Sequence, residues 1–311
     1  MKAIILNEFG PAANLQLADL PIPHIGHEQV LVKVDSLSIN PVDIKTRQGK
    51  GTANNIKDRP IILGWDISGE VTESKSPLFN KGDQVFGMIN FPGHGKAYAE
   101  YVVAPADQLY LIPENVTAEQ AAAATLAALT AWQNLTEHYT VTQGQRVLIH
   151  AGSGGVGHFA IQIAKYLGAY VIATSSAKNK AFILSLGADE HIDYNTVQFN
   201  SVLKEIDFVL NVLSPDITER SLAVLKPGGT VISIASGVSE DIKAKALAKQ
   251  VTALHTMVKP SGRNMEQIAE LLGNEKLQPH IDQVFLFEDM QKAHEQMEGG
   301  RTIGKIIVKL P

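Results

Sequence analysis

With 311 residues the chain is long enough for about two domains of ~100–200 residues each. Its formal net charge of −5 argues against a nucleic-acid partner, and its lack of cysteine excludes disulfides and every thiolate-bound metal. The apolar run after Met1 is too short for a secretory signal, and Ala121–Trp132 is far below the ~20 residues of a membrane span, so the expectation is a cytoplasmic enzyme with no membrane partner.

In chain order, residues 1–37 carry short strand-like runs, Lys2–Leu6, Leu15–Leu17 and Val30–Val34, separated by Gly10-Pro11 and Pro21-Ile22-Pro23. Short strands with frequent breakers predict an irregular β domain or barrel. Asn40-Pro41-Val42-Asp43-Ile44-Lys45 predicts a loop entering a short helix with proline near its first position. Strand patterns resume at Ile61–Val71, at Gln84–Met88 after the turn Lys81-Gly82-Asp83, and at Tyr98–Val103. Composition shifts at Thr117, where Thr117 and Gln120 have the spacing of a capping box. An alanine-rich helical stretch then runs from Ala121 to His138, with a break expected near Leu129-Thr130.

From Arg146 strands and helices alternate. The strands are Arg146–Ala151, Tyr170–Thr174, Phe208–Leu213, Thr230–Ala235 and Val251–Val258; the helices are Gly155–Leu167, Lys178–Leu186, Ile217–Leu225 and Asp241–Ala248. Such alternation predicts a parallel sheet covered on both faces. Lys226-Pro227-Gly228-Gly229 reads as the turn that stops a helix. Beyond Lys259-Pro260 come a helix Asn264–Leu272, a strand Ile281–Phe287, a helix near Met290–Met297 and a last strand Lys305–Leu310. That strand belongs to no βα unit and is expected to return to the first domain. The expected division is residues 1–122 with 261–311, and residues 123–260.

The most informative stretch is Val147–Ala160. An apolar, β-branched run breaks at Gly152-Ser153-Gly154-Gly155-Val156-Gly157, and apolar residues at helical spacing follow at once. Strand, glycine turn and helix form the context in which a pyrophosphate reaches the free amides of a helix start, provided no Cβ intervenes. Gly152, Ser153, Gly154, Gly155 and Val156 are therefore candidate cofactor-binding positions. A site for NAD normally offers a carboxylate to the ribose at the end of the second strand. Here that strand ends in Thr174-Ser175-Ser176-Ala177-Lys178-Asn179-Lys180. Hydroxyls and lysines suit a 2′-phosphate, which favours NADPH over NADH and makes Ser175, Ser176 and Lys180 candidates. The competing reading is a solvated helix start capped by Ser175 or Ser176.

The ten histidines do not have the spacing of a metal site. His24 and His27 fit a surface loop, His94 sits between two glycines, and packing or backbone contacts account for His150 and His158. No metal ligand is assigned.

Asn40-Pro41-Val42-Asp43, Gly64-Trp65-Asp66-Ile67-Ser68-Gly69, Gly82–Gly87, Ala97–Tyr101, the glycine turn and Leu225–Gly229 occur in an order that resembles the medium-chain dehydrogenase/reductase superfamily. The resemblance runs from Met1 to the segment Gly304–Val308. It is nearest to the zinc-independent quinone oxidoreductase and alkenal/enone reductase branch. It implies an α/β fold, a Rossmann doubly wound parallel sheet plus a discontinuous GroES-like β-barrel domain, with NADPH as cofactor and frequent homodimers. Zinc-dependent relatives carry Gly-His-Glu where this chain has Gly64-Trp65-Asp66, which implies loss of the catalytic metal. By resemblance Asn40 lies near the nicotinamide and substrate, Thr130 and Gln133 along the nicotinamide ribose, and Tyr194 and Arg301 near the adenosine 2′-phosphate. Many quinone reductases have a tyrosine five residues after the asparagine; this chain has Lys45, as in an Asn-Pro-Val-Asp-x-Lys pattern that tilts the substrate toward enones.

The resulting expectation is hydride transfer from NADPH to a quinone or to the β-carbon of an α,β-unsaturated carbonyl. Asn40, Lys45, a ribose hydroxyl or water would hold the developing oxyanion. The rivals are an NADPH-binding sensor without turnover and a zinc-free alcohol dehydrogenase or acyl-transfer-linked reductase.

Overall fold

The computed structural model describes all 311 residues, which fall into two units. The first is Met1–Leu129 with Lys259–Pro311; the second is Thr130–Val258. The division points thus fall at 129/130 and 258/259, where the sequence suggested 122/123 and 260/261. The shift at the first of these has a local cause, described below at Asp66.

In chain order the elements are β1 (Lys2–Leu6), β2 (Gln16–Asp19), β3 (Gln29–Ile39), α1 (Pro41–Arg47), β4 (Ile61–Ile62), β5 (Asp66–Ser74), β6 (Gln84–Met88), β7 (Tyr101–Pro105), β8 (Tyr110–Leu111), α2 (Ala118–Ala123) and α3 (Leu126–Thr136). They continue with β9 (Arg146–Ile149), α4 (Gly155–Tyr166), β10 (Tyr170–Ser175), α5 (Lys180–Ser185), β11 (Glu190–Asp193), α6 (Phe199–Val202), β12 (Ile206–Asn211), α7 (Pro215–Ser221), β13 (Leu225–Ser233), α8 (Glu240–Ala248) and β14 (Thr252–His255). The chain closes with α9 (Gly262–Gly273), β15 (Ile281–Leu286), α10 (Met290–Glu298) and β16 (Lys305–Lys309).

The first unit is built on a small sheet β2-β1-β4 and a larger one ordered β15-β16-β3-β5-β6-β8, with β7 also paired to β3. Its 11-residue centre, β3, pairs antiparallel with β5, β7 and β16. The last strand does return to this unit, pairing Ile306 with Ile39 and Val308 with Leu37. Val30, Val32, Val34, Leu37, Ile39, Ile67, Val71, Ile306 and Val308 share one apolar core. At ~25 cal/mol per Å² of apolar surface, such continuous burial is what holds strands this far apart in sequence together.

The second unit is a six-stranded parallel sheet ordered β11-β10-β9-β12-β13-β14. Strand order reverses direction between β9 and β12. Right-handed crossovers then place α4 and α5 on one face and α7 and α8 on the other, opening a crevice at the carboxyl ends where β9 and β12 diverge. Its core includes Leu148, Ile172, Val209 and Val231.

Four local expectations are corrected. The alanine-rich helix breaks at Ala124-Thr125, not near Leu129-Thr130: Thr125 Oγ1 donates to Ala122 O at 2.8 Å, and Leu126 N donates to Asp66 Oδ1 at 3.1 Å. A carboxylate from β5 therefore starts α3, and the start of that helix stays with the first unit. Lys226–Gly229 lies inside β13, whose pairing with β12 shifts register between Ile206 and Phe208. Ile61–Val71 is split by Leu63–Trp65 into β4 and β5. The short strand β11 and helix α6 carry no strong apolar period and have no counterpart among the predicted elements.

Candidate functional site

In the second unit, β9 delivers the chain into the glycine turn at the switch in strand order. Gly152 N donates to Thr174 O at 2.8 Å and Ala151 N to Thr174 Oγ1 at 3.2 Å, so the turn is anchored to β10. A Cβ on Gly157 would lie 2.2 Å from Ala151 O and 2.8 Å from Gly152 Cα. Only glycine allows α4 to start this close to the strand. Gly154 caps α4 without a side chain, and Gly154, Gly155 and Val156 are half-buried. The amides of Gly155, Val156 and Gly157 fall in the first turn, where a helix has no internal acceptor, and they carry the positive end of a 12-residue helix. This is a cradle for an anionic group. Ser153 Oγ accepts from Asn179 Nδ2 at 2.9 Å, tying the turn to the segment after β10.

That segment brings three of the candidate residues, Ser175, Ser176 and Lys180, to the carboxyl end of β10. Ser175 ends β10, Ser176 is half-buried, and Lys178 and Lys180 are exposed. Neither serine caps the following turn through its side chain; Ser175 Oγ donates instead toward Ser176 O at 3.0 Å. Tyr194 follows β11 and is 62% exposed. Asp193 is the nearby carboxylate, but its oxygens accept from Asn195 and Thr196 within its own turn. Thr130 and Gln133 lie one turn apart on α3 and are buried. Arg301 is exposed just before β16 and belongs to the first unit, apart from the residues on β10 and β11 in the chain's division.

His150 and His158 flank the turn as packing residues. His150 is buried, with Nδ1 3.2 Å from Thr174 Oγ1 and Nε2 3.3 Å from Ser221 Oγ; His158 Nδ1 lies 2.9 Å from Gly154 O. Burial pulls the His150 pKa down to about 3 and does the same at His294 in the first unit. The unfolded chain takes up a proton at each near pH 6.5 while the folded chain does not. Both histidines therefore contribute stability that is present above pH 6.5 and is lost as pH falls toward 3. Denaturant midpoints measured across that range should fall with acid, and His150→Gln should make the slope shallower by one proton.

The first unit holds a buried polar cluster. Asn40, at the mouth of α1, donates from Nδ2 to Asp66 Oδ2 at 2.7 Å and accepts at Oδ1 from Lys305 Nζ. Lys305 also donates to Ile39 O at 3.2 Å and faces Asp66 Oδ2 at 3.9 Å. Asn40 is 3%, Asp66 1% and Lys305 2% exposed. Burial pushes the Asp66 carboxyl up and the Lys305 ammonium down, and each charge partly counters the other's shift. The carbonyl and one N–H of the Asn40 amide are thus fixed by charged neighbours. One Nδ2–H is left to donate elsewhere.

A second layer backs this cluster. Asp43 accepts from Asn40 N at 2.7 Å, and burial raises its pKa to about 7. Tyr98 Oη lies 3.0 Å from His294 Nε2, and Arg47 pairs with Glu298. Lys45, on the same helix as Asp43, is exposed, and its side chain makes no hydrogen bond or ion pair. The lysine that reaches Asn40 is Lys305, which its chain neighbours mark only as a strand residue. One signal could have found it: a lysine followed directly by Ile306-Ile307-Val308 on a central strand has no easy route to water.

Residues 26–114 match the family described as alcohol dehydrogenase GroES-like domain, and residues 186–308 the family described as zinc-binding dehydrogenase. The donor set does not fit zinc. No three His, Cys, Asp or Glu side chains come together, and Trp65 is buried with its Nε1 donating to Gly93 O at 2.8 Å. The chain is 32% identical to the chloroplastic quinone-oxidoreductase homolog of Spinacia oleracea, across 99% of this chain and 98% of that protein. It is 31% identical to 2-methylene-furan-3-one reductase of Solanum lycopersicum, across 99% and 79%. The solved quinone oxidoreductase from Coxiella burnetii superposes with a TM-score of 0.94 at 38% identity, covering 100% of this chain and 99% of that one.

Proposed function

Since the chain belongs to the quinone and enone reductase branch of the medium-chain dehydrogenase/reductase superfamily, we propose that it is an NADPH-dependent, zinc-independent reductase of quinones or α,β-unsaturated carbonyls. The observation that carries this reading is the glycine cradle followed by a β10 end that offers hydroxyls and lysines and no carboxylate.

In this proposal the first-turn amides of α4 hold the pyrophosphate, and Ser175, Ser176 and Lys180 hold the 2′-phosphate. Tyr194 and Arg301 keep the adenosine-binding roles that the resemblance gives them, and Thr130 and Gln133 the ribose. When bound, NADPH supplies a hydride to an electron-poor carbon of the substrate. Negative charge then develops on the conjugated oxygen. The remaining Nδ2–H of Asn40 donates to that oxygen from a side chain that Asp66 and Lys305 already hold in place, so little reorganisation accompanies the charge. The proton that completes the hydroquinone or saturated carbonyl comes from solvent. Lys45 has no part in holding Asn40.

The direct test is consumption of NADPH and of NADH against matched quinones and enones, with an arm for alcohol oxidation by NADP⁺. Turnover of either substrate class with NADPH preferred supports the proposal. Tight NADPH binding without any turnover would replace it with a sensor, and alcohol oxidation alone with a dehydrogenase. Ser175→Asp adds the acid that NAD sites carry at this point. It should lower kcat/KM for NADPH and move the NADPH/NADH ratio toward NADH by roughly tenfold to a hundredfold. Steady-state kinetics with both nucleotides gives the answer.

A further inference from the structure

The 2′-phosphate end of the site contains a side chain whose role has not been assigned. His191 lies on β11, where it pairs across to Ala173 of β10, and its Nε2 is 2.9 Å from Ser175 Oγ. Ser175 therefore has two neighbours within reach of its one hydroxyl proton: Ser176 O at 3.0 Å and the imidazole nitrogen. If Nε2 is an acceptor, both neighbours compete for that proton and neither favours an incoming anion. If Nε2 carries a proton it donates into Ser175 Oγ, and the serine proton is left with one local acceptor, Ser176 O, from which a phosphate oxygen can draw it.

We infer that His191 is a specificity-determining residue: in its Nε2-protonated form it turns Ser175 into a donor for a phosphate monoester. The inference rests on the NADPH reading above. The charged groups facing the ring are Lys180 on α5 and Asp193 on its own strand, which oppose each other. In the free protein, partial burial keeps the imidazole below its ordinary value, so it is mostly neutral at neutral pH. A bound 2′-phosphate adds negative charge beside Ser175, favours the imidazolium and draws a proton onto the ring. NADH, which has a hydroxyl at that position, does not.

The experiment is calorimetric titration with NADPH and NADH at neutral pH in two buffers of different ionisation heat, on the wild type, His191→Val and His191→Gln. The wild type should bind NADPH more tightly than NADH and take up more protons with it. His191→Val should lose that excess uptake and roughly tenfold of the preference, with NADH affinity unchanged. His191→Gln, a neutral donor of similar reach, should keep most of the preference and lose the excess uptake. A proton released by the phosphate itself appears in all three proteins and cancels in the comparison. Equal wild-type affinities for the two nucleotides overturn the NADPH reading, and this inference with it. A wild-type preference or excess proton uptake that survives His191→Val overturns the role of His191 alone.

Discussion

Gly157→Val should abolish measurable dinucleotide binding. The added Cβ meets Ala151 O at 2.2 Å, Gly152 Cα at 2.8 Å and Ala151 C at 2.9 Å, all of them backbone atoms that no rotamer change can move. Relief requires α4 to draw back from the turn, which takes the first-turn amides away from the pyrophosphate. Overpacking of this kind costs about 1–3 kcal/mol of stability, and losing the amide cradle should weaken NADPH binding by at least ~100-fold, about 2.7 kcal/mol. Fluorescence titration reads the binding, and urea unfolding confirms that the variant folds. Gly154→Ala separates the two effects. Its Cβ finds only Ala151 O, at 3.3 Å, and Gly154 has a φ of −84°, so stability should hardly change and any loss of binding in this variant is not a loss of fold. Wild-type affinity in Gly157→Val would show that the turn is not the nucleotide's seat.

Lys305→Met should strongly destabilise the first unit. It leaves the Asp66 carboxylate buried without its cation and removes the donors to Asn40 Oδ1 and Ile39 O. Breaking a buried pair from one side costs about 3–5 kcal/mol, whereas removing both charges together is often close to neutral. Lys305→Met combined with Asp66→Asn should therefore recover most of the loss. The sign of the pH dependence follows from the carboxylate. Without Lys305 the folded-state pKa of Asp66 rises further above its unfolded value, so the deficit of the single variant is small in acid and grows as pH rises. Activity gives a separate readout. An Asn40 amide no longer held at its carbonyl should lose roughly tenfold to a hundredfold in kcat with KM little changed. Urea midpoints across pH, with steady-state kinetics beside them, distinguish these effects; a double variant no more stable than the single one would count against the pair.

Features that depend on neighbours in the chain are legible in the sequence. The Thr117–Gln120 capping box forms as its spacing indicates, with Thr117 N donating to Gln120 Oε1 at 3.0 Å and Gln120 N to Thr117 Oγ1 at 3.2 Å. The strand, glycine turn and helix at Val147–Ala160 and the alternation that follows are legible for the same reason, and the return of the last strand is legible from the lack of any βα unit around it. Features that depend on partners distant in sequence are not. The break before α3 is set by Asp66, 60 positions from Leu126, and nothing around Ala124-Thr125 announces it. Lys45 stands near Asn40 in the chain, but the lysine bonded to Asn40 is 265 positions away. His191 is hidden for a related cause. It lies on a four-residue edge strand between Glu190 and Ile192, and its meaning depends on a register that places it beside Ser175.

The antiparallel pairing of β16 with β3 has a consequence for how the protein is made. Residues 130–258 are contiguous and can collapse as soon as they leave the ribosome, while the Ser36–Ile39 end of β3 must wait for β16. The separation between Asn40 and Lys305 is 265 residues, which at typical translation rates is roughly 15–50 s. During that interval the Ser36–Ile39 end of β3 lacks the strand that covers its edge, and the Asp66 carboxylate lacks its cation. An incomplete chain therefore exposes a sticky β edge and an unpaired buried acid together. Nascent chains that stop short of β16 are the form of this protein most prone to aggregate and most in need of a chaperone.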